Sequence, residues 1–295
     1  MNKENEEVLH RSNINWYPGH MTKAVRMMKE EISLVDLVIE LLDARAPLSS
    51  RNPDIDELGR NKFRLVILNK SDLADKALTD QWKTYFKSKN IAVLTMDARN
   101  RGAARNVESC VKEVCREKIE RDRKRGIKNR PVRAMVCGIP NVGKSTFINS
   151  FVGKTTAKTG NKPGVTKGKQ WIRLSDTIEL LDTPGILWPK FEDQSVGMRL
   201  AMLGTINDQI LDISELALSL IDYIKSEYPG SLNARYGIEE SLDRVKNLED
   251  IALNRKALKK GEEPDLEKGA SYLIDDFRSG RLGTITLEKP EKKEE

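Results

Sequence analysis

The sequence predicts an α/β domain built on a largely parallel sheet, followed by a smaller, mainly α-helical domain. Three observations predict it. The apolar runs LVDLVIELLDA (34–44), KFRLVILNK (62–70) and IAVLTMDA (91–98) are continuous rather than alternating, and stretches of helical length separate them. That is the pattern of strands covered on both faces. A glycine-rich pattern, GIPNVGKST (138–146), lies between a further strand-like run and a helix-like run. From about Ser195 the apolar spacing becomes helical and stays so for most of the remaining chain.

Taken in order, residues 1–13 are polar and read as a flexible extension. The three runs above supply three strands. ARNVESCVKEVCREKIERDRKR reads as one amphipathic helix that becomes strongly basic at its end, and RPVRAMVCGIP as the next buried strand. KQWIRLS and TIELLDTPG read as a strand pair. VGMRLAMLGTINDQILDISELALSLIDYIKSEY and two later stretches have helical spacing, GTITLE is strand-like, and the charged EKPEKKEE reads as a disordered tail. The expected boundaries are therefore 14–191 for the α/β domain, 192–288 for the helical domain and 289–295 for the tail.

Composition narrows the function classes. A chain of 295 residues can bury two cores, and 38% hydrophobic with 33% charged residues fits neither a disordered nor a membrane-embedded protein. The run 34–44 is too short, and too interrupted by Asp36 and Glu40, to span a bilayer. The opening MNKENEEVLHRSN lacks the apolar stretch of a secretory leader. Cys110, Cys115 and Cys137 form neither a CxxC pair nor an even framework, so reduced thiols and a cytoplasmic location are expected. The net charge is +6, yet 13 Lys or Arg and no acidic residue fall between Arg123 and Ser175, leaving −7 for the rest. So one-sided a segment points to polyanions, namely nucleotide phosphates and an RNA backbone; the alternative is a solvated basic loop.

The motifs sharpen this. GIPNVGKST fits G-x-x-x-x-G-K-[ST] in its required strand-to-helix context. Gly138 and Gly143 let the backbone wrap phosphates, with Asn141, Val142 and Thr146 in the same loop. Lys144 would reach the β- and γ-phosphates, and Ser145 would ligate Mg²⁺. NKSD (69–72) fits the guanine-selective N-K-x-D: Asp72 can accept from the N1 and N2 hydrogens of guanine, a donor pair that adenine lacks. Asn69 would brace the loop, the Lys70 stem would cover the base, and Ser71 lies between Lys70 and Asp72. In DAR (97–99), which departs from the usual Ser-Ala-Lys, Asp97 and Ala98 supply the second base loop, with the Ala98 N–H expected to face the guanine carbonyl. In DTPG (182–185), Asp182 would hold Mg²⁺ through water and the Gly185 N–H would sense the γ-phosphate. Among the threonines of loop 154–169, Thr166 is the expected Mg²⁺ ligand, because KPGVT lies just before the next strand.

NKSD and DAR precede the phosphate loop, and the switches come last. The usual G-domain order runs P-loop, switches, NKxD, Ser-Ala, so the fold expected is a circularly permuted P-loop GTPase domain followed by the helical one. Permutation leads the second switch almost directly into the helical domain. The position after Gly185 is Ile186, which cannot orient water as the glutamine of Ras-like enzymes does.

Permuted order, the apolar residue after DTPG, INWYPGHM (14–21), NKPGVTKGKQWI and EPDLEKGASYLIDDFRSGRLGTITLE together resemble the ribosome biogenesis GTPase A family, from about Ile14 to Leu287. The resemblance implies a factor acting late in assembly of the large (50S) ribosomal subunit, in contact with its precursor, rRNA and ribosomal proteins. It also implies a helical RNA-binding domain, and GTP hydrolysis stimulated by the subunit and by potassium. Asn141 matches the asparagine that ligates K⁺ in potassium-activated members, and His20 matches the proposed catalytic histidine, with Lys144 completing the catalytic set. A monomer with no membrane association is expected. Arg278, Arg281 and Lys289 are candidate extra rRNA contacts. A GTP-gated rRNA-binding scaffold with incidental hydrolysis is the alternative; a P-loop kinase is disfavoured by NKSD.

Overall fold

The computed structural model describes residues 26, 28–100, 102–127, 130–152, 170–182, 193–206 and 212–291. Six of the seven strand-like runs form strands: β1 (Leu37–Asp43), β2 (Phe63–Asn69), β3 (Ala92–Thr95), β4 (Val132–Cys137), β5 (Gln170–Arg173) and β6 (Ile178–Asp182). They form one sheet in the order β3-β2-β1-β4-β6-β5. Every neighbouring pair is parallel except β5 and β6, which pair antiparallel. The chain winds outward from β1 to β3, then returns to β1's other side with β4. The loops after β1 and β4 therefore diverge at a topological switch point, where open α/β sheets bind their ligands.

Helices cover both faces. Those of the α/β part are α1 (Asp54–Leu58), α2 (Lys76–Ser88), α3 (Ala103–Val114), α4 (Arg116–Lys124) and α5 (Lys144–Val152). Val107, Val111, Phe147 and Ile148 cover one face of the sheet together with its own Leu37, Ile39 and Val136. Trp82 and Phe86 of α2 pack on the other face against Val66 and Leu68. The charge inside β1 is paired: Glu40 is 1% exposed and meets Arg51 at 3.3 Å and Arg64 at 2.9 Å. Burial raises the Glu40 pKa, and the two guanidiniums work against it.

One helix expectation needs correction. The stretch 103–124 breaks at Cys115 into α3 and α4. Cys115 is wholly buried, and the buried Lys118 ammonium ties α4 to Asp36 and pairs within the helix with Asp122, each at 3.2 Å. Cys115 marks the break with φ −96° and ψ 15°, outside the helical run of either segment. Cys110, Cys115 and Cys137 are free thiols; burial pushes Cys115 up to about 12, so it stays protonated and inert.

The second core belongs to α6 (Gln194–Met202), α7 (Ile213–Glu227), α8 (Ser231–Tyr236), α9 (Arg244–Asn254) and α10 (Leu266–Arg278). Leu220, Ile224, Ile251, Leu273 and Phe277 are among its buried members. Side chains of Asp193, Asp212, Asp243 and Asp265 cap α6, α7, α9 and α10 by accepting first-turn N–H groups. α6 serves both cores: Leu200 packs into the sheet core and Ala201 and Met202 into the helical one.

The strand-like GTITLE joins no ladder. It runs extended across the loops that follow β1 and β2, with Ile285 N donating to Leu73 O (3.1 Å) and Leu287 N to Arg45 O (2.6 Å). Ile285, Thr286, Leu287 and Glu288 are all buried, and the edge they meet is made of loops. Lys289, assigned from sequence to the tail, ion-pairs with Glu227. No helix among the described residues is long and apolar enough to cross a membrane.

Candidate functional site

The carboxyl ends of β1, β2, β4 and β6 bring the motifs together. Register alone aligns Asp43 with Asn69 and Val136 with Asp182, so the loops after these strands share one edge of the sheet. The P-loop follows β4 directly, and α5 begins at Lys144, aiming its positive end at that edge.

Asn69 is the centre of the arrangement. Its side-chain Nδ2 donates to Val142 O at 2.8 Å, and its Oδ1 accepts from Ala98 N at 2.9 Å. One buried carboxamide thus holds the phosphate loop, NKSD and DAR in fixed relation. Ala98 N–H therefore faces Asn69, correcting the expectation that it faces the base. Glycine is required at 143: its φ is +97°, and a Cβ there would meet Asn69 Nδ2 at 2.5 Å. Gly138 is equally constrained, since a Cβ would lie 2.7 Å from Leu41 O.

Lys70 reaches back across the site. Its ammonium donates to Asn141 O at 2.9 Å and pairs with Asp43 Oδ2 at 2.9 Å. Asp43 also accepts from Arg45 through Nε and Nη2, both at 2.9 Å, and both side chains of that pair are 2% exposed. Burial works to raise the Asp43 pKa, and the Arg45 and Lys70 charges beside it override that, holding the carboxyl below its ordinary range. The sequence reading passed over Asp43 and Arg45. Their signal was a second Asp-Ala-Arg, at 43–45, repeating the tripeptide at 97–99.

Asn141, exposed and left-handed at φ +59°, turns Nδ2 outward to donate to Gly204 O at 2.7 Å. Its carboxamide is thus satisfied from beyond α6 rather than within its own loop. With Nδ2 so engaged, Oδ1 is the atom a cation would meet. Arg45 Nη1 donates to Arg278 O (3.3 Å), while Arg278 donates to Met202 O (3.0 Å) and Ala201 O (2.7 Å). P-loop, NKSD, β1 and both ends of the helical part are joined in one circuit.

At the base end, Asp72 Oδ2 accepts from Arg99 Nη2 at 2.5 Å. Arg99 also grips Asp97, and its side-chain hydrogen bond holds the Asp97 carboxyl below the ordinary range. Ser71 N donates to Met96 O at 3.2 Å, fastening NKSD to β3's end. His20, Thr166, Gly185 and Ile186 lie outside the described residues, and Asp182 is placed by its backbone at the end of β6, beside the P-loop strand.

The three candidate rRNA contacts have partners within the chain. Arg278 bonds carbonyls at the end of α6, Arg281 donates to Asp276 at 2.5 Å, and Lys289 is paired with Glu227. Arg278 is held within the fold, while Arg281 and Lys289 keep 53% and 56% of their side chains exposed. The basic run also divides in space: Lys144 sits at the carboxyl edge, while Arg123, Lys124, Arg125 and Arg130 are exposed near the start of β4. Six residues of β4 separate the two groups by about 20 Å.

Comparison with known proteins agrees with this geometry. Residues 133–257 match a family described as 50S ribosome-binding GTPase. Ribosome biogenesis GTPase A of Bacillus cereus is 46% identical over 95% of this chain and 95% of its own length. The chain belongs to the ribosome biogenesis GTPase A family. The ribosome biogenesis GTPase A of Thermotoga maritima is 32% identical over 94% of this chain and 95% of its own. The GDP-bound structure of T. maritima YlqF matches with a TM-score of 0.65 at 26% identity, covering 90% of this chain and all of that one. The GNP-bound form matches at 0.63 and 28%, covering 92% and 99%. As a member of the ribosome biogenesis GTPase A family, the chain binds and hydrolyses GTP on a permuted P-loop GTPase fold.

Proposed function

We propose that this GTPase binds the maturing large ribosomal subunit in its GTP state, hydrolyses GTP when the subunit completes the active site, and then leaves. The observation that carries the reading is the three-way brace at Asn69, which holds a phosphate loop and two guanine loops in one frame despite their permuted order. GTP would lie along the carboxyl edge, its base toward Asp72 and Asp97 and its phosphates over Gly143, Lys144 and the start of α5. Lys144 is 7% exposed, a setting that strengthens its pull on phosphate oxygens.

The donors fit the ions that the chemistry calls for. Ser145 on the first turn of α5 and Asp182 at the end of the neighbouring strand are oxygen ligands suited to Mg²⁺, with Thr166 as the third. Asn141, its carboxamide oriented by Gly204, suits K⁺. Bound there, the two cations would offset charge that develops on the transferring phosphoryl group. His20 would orient the attacking water, the task that Ile186 cannot do. Exposed Arg123, Lys124, Arg125 and Arg130 would meet rRNA phosphates, apart from the nucleotide.

The test is GTP turnover in KCl and in NaCl, with and without purified large subunits. Stimulation by subunits and by KCl supports the reading. Tight binding of subunits without stimulation supports the scaffold alternative. Absence of GTP-dependent subunit binding overturns both.

A further inference from the structure

We infer that Arg99 competes with guanine for Asp72 by standing in for the base. A guanidinium and the N1–N2 edge of guanine both present nitrogen-bound hydrogens to a carboxylate. Arg99 Nη2 donates to Asp72 Oδ2 at 2.5 Å, on the carboxylate that guanine would use. The same nitrogen also donates to Asp97 Oδ2 at 3.0 Å, and Arg99 Nε donates to Asp97 Oδ1 at 2.9 Å. Arg99 is thus hinged on Asp97 and reaches across to Asp72. When the base arrives, the arm lets go of Asp72 and keeps its hold on Asp97. The contact is shallow enough to exchange: the side chains of Arg99 and Asp72 are 68% and 33% exposed.

The loop does not depend on the arm. Arg99 N donates to Asp97 Oδ1 at 2.9 Å, and Ala98 N to Asn69, so the backbone turn survives loss of the side chain. Arg99 is therefore a positioning residue that competes with substrate. The inference rests on reading Asp72 as the acceptor for guanine. Exposed ion pairs are weak, and a site that must first open binds in proportion to its open fraction, so Arg99→Ala should tighten GDP binding by about two- to six-fold.

The experiment titrates the full chain with fluorescent GDP in low and high NaCl. Variants are Arg99→Ala, Arg99→Lys, Asp72→Asn, and the Arg99→Ala/Asp72→Asn double, the last two also titrated with xanthosine diphosphate. Arg99→Ala should bind GDP more tightly and faster, with the gain shrinking as salt rises. Arg99→Lys should fall between it and the parent. In the Asp72→Asn background, loss of Arg99 should leave xanthosine diphosphate affinity unchanged. Equal or weaker GDP binding by Arg99→Ala overturns the inference, because the arm is then idle or supports the base. Asp72→Asn that still prefers GDP overturns the reading of Asp72 itself, whatever Arg99→Ala does.

Discussion

Replacing Asn69 with alanine should unfasten three loops at once. Asn69 is 2% exposed, and its two polar atoms serve Val142 O and Ala98 N, in residues that are 1% and 3% exposed. Alanine removes both partners and leaves a buried carbonyl and a buried N–H unsatisfied. Each such group costs about 1–3 kcal/mol, so the substitution should cost about 2–6 kcal/mol. That is a large share of a typical domain's total of about 5–15 kcal/mol. Nucleotide affinity should fall with it, because binding must now order loops that Asn69 held ready; a drop of about tenfold corresponds to only about 1.4 kcal/mol. Asn69→Asp separates the two bonds: it keeps an acceptor for Ala98 N but turns a carboxylate oxygen toward Val142 O. Urea unfolding followed by circular dichroism gives the stability change, and titration with fluorescent GDP gives the affinity. A parental unfolding midpoint in Asn69→Ala, with affinity alone reduced, would refute the brace and leave Asn69 as a base contact.

Two further substitutions probe the circuit around the P-loop. Asn141→Ala should abolish any advantage of KCl over NaCl in GTP turnover while leaving GDP affinity within about threefold, since an exposed side chain with one carbonyl bond contributes little to stability; a retained KCl advantage would place the cation elsewhere. Asp43→Asn should destabilise the fold by about 3–5 kcal/mol at pH 7, because Arg45 is left buried without its counter-charge. The folded pKa of Asp43 is depressed, so its stabilisation is present above the ordinary carboxylate value near 3.8 and is lost as pH falls below it. The gap between parent and variant in urea midpoint should accordingly be constant from pH 7 to 5 and narrow from pH 4 downward. A gap unchanged at pH 3 would mean that the pair is not what Asp43 contributes.

The strands were legible because burial on both faces leaves a continuous apolar run, and the motifs were legible because phosphate and guanine dictate residue types at fixed spacing. What stayed hidden was pairwise. Glu40 read as an interruption of β1 until Arg51 and Arg64, brought from 11 and 24 residues away, were seen to neutralise it. Lys118, just past the break at Cys115, is paired with Asp36, some 80 residues earlier. The carbonyl bonds of Arg278 were hidden for the same reason. A surface-type residue in a helical domain looks like a nucleic-acid contact until its partners, here the carbonyls at the end of α6, come from a distant part of the sequence. Ala98 shows the limit within a motif: spacing located its loop, but only the fold revealed that its N–H belongs to Asn69.

The helical part is tied to the sheet at two ends, and the second tie can be tested by itself. α6 is fastened on the phosphate side, where Asn141 meets Gly204. The returning segment is fastened on the base side, where Glu288, 8% exposed, accepts from Leu48 N, Ser49 N (3.1 Å) and Ser49 Oγ (2.6 Å), while its carbonyl accepts from Trp82 Nε1 (3.2 Å). Glu288→Ala removes the side-chain acceptor and leaves the backbone bond to Trp82. Two N–H groups in the loop after β1 lose their partner, at about 1–3 kcal/mol each if they stay dry. The returning segment should then open before the sheet does. Limited proteolysis should cut within 280–291 in the variant at concentrations that spare the parent, while GDP affinity holds, because neither Asn69 nor Asn141 has lost a contact. If the variant resists cleavage as the parent does, the segment is held by the packing of Ile285 and Leu287, and the carboxylate is incidental. If GDP affinity falls instead, the two ties are not independent, and the loop after β1 transmits strain through Arg45 and Asp43 to Lys70.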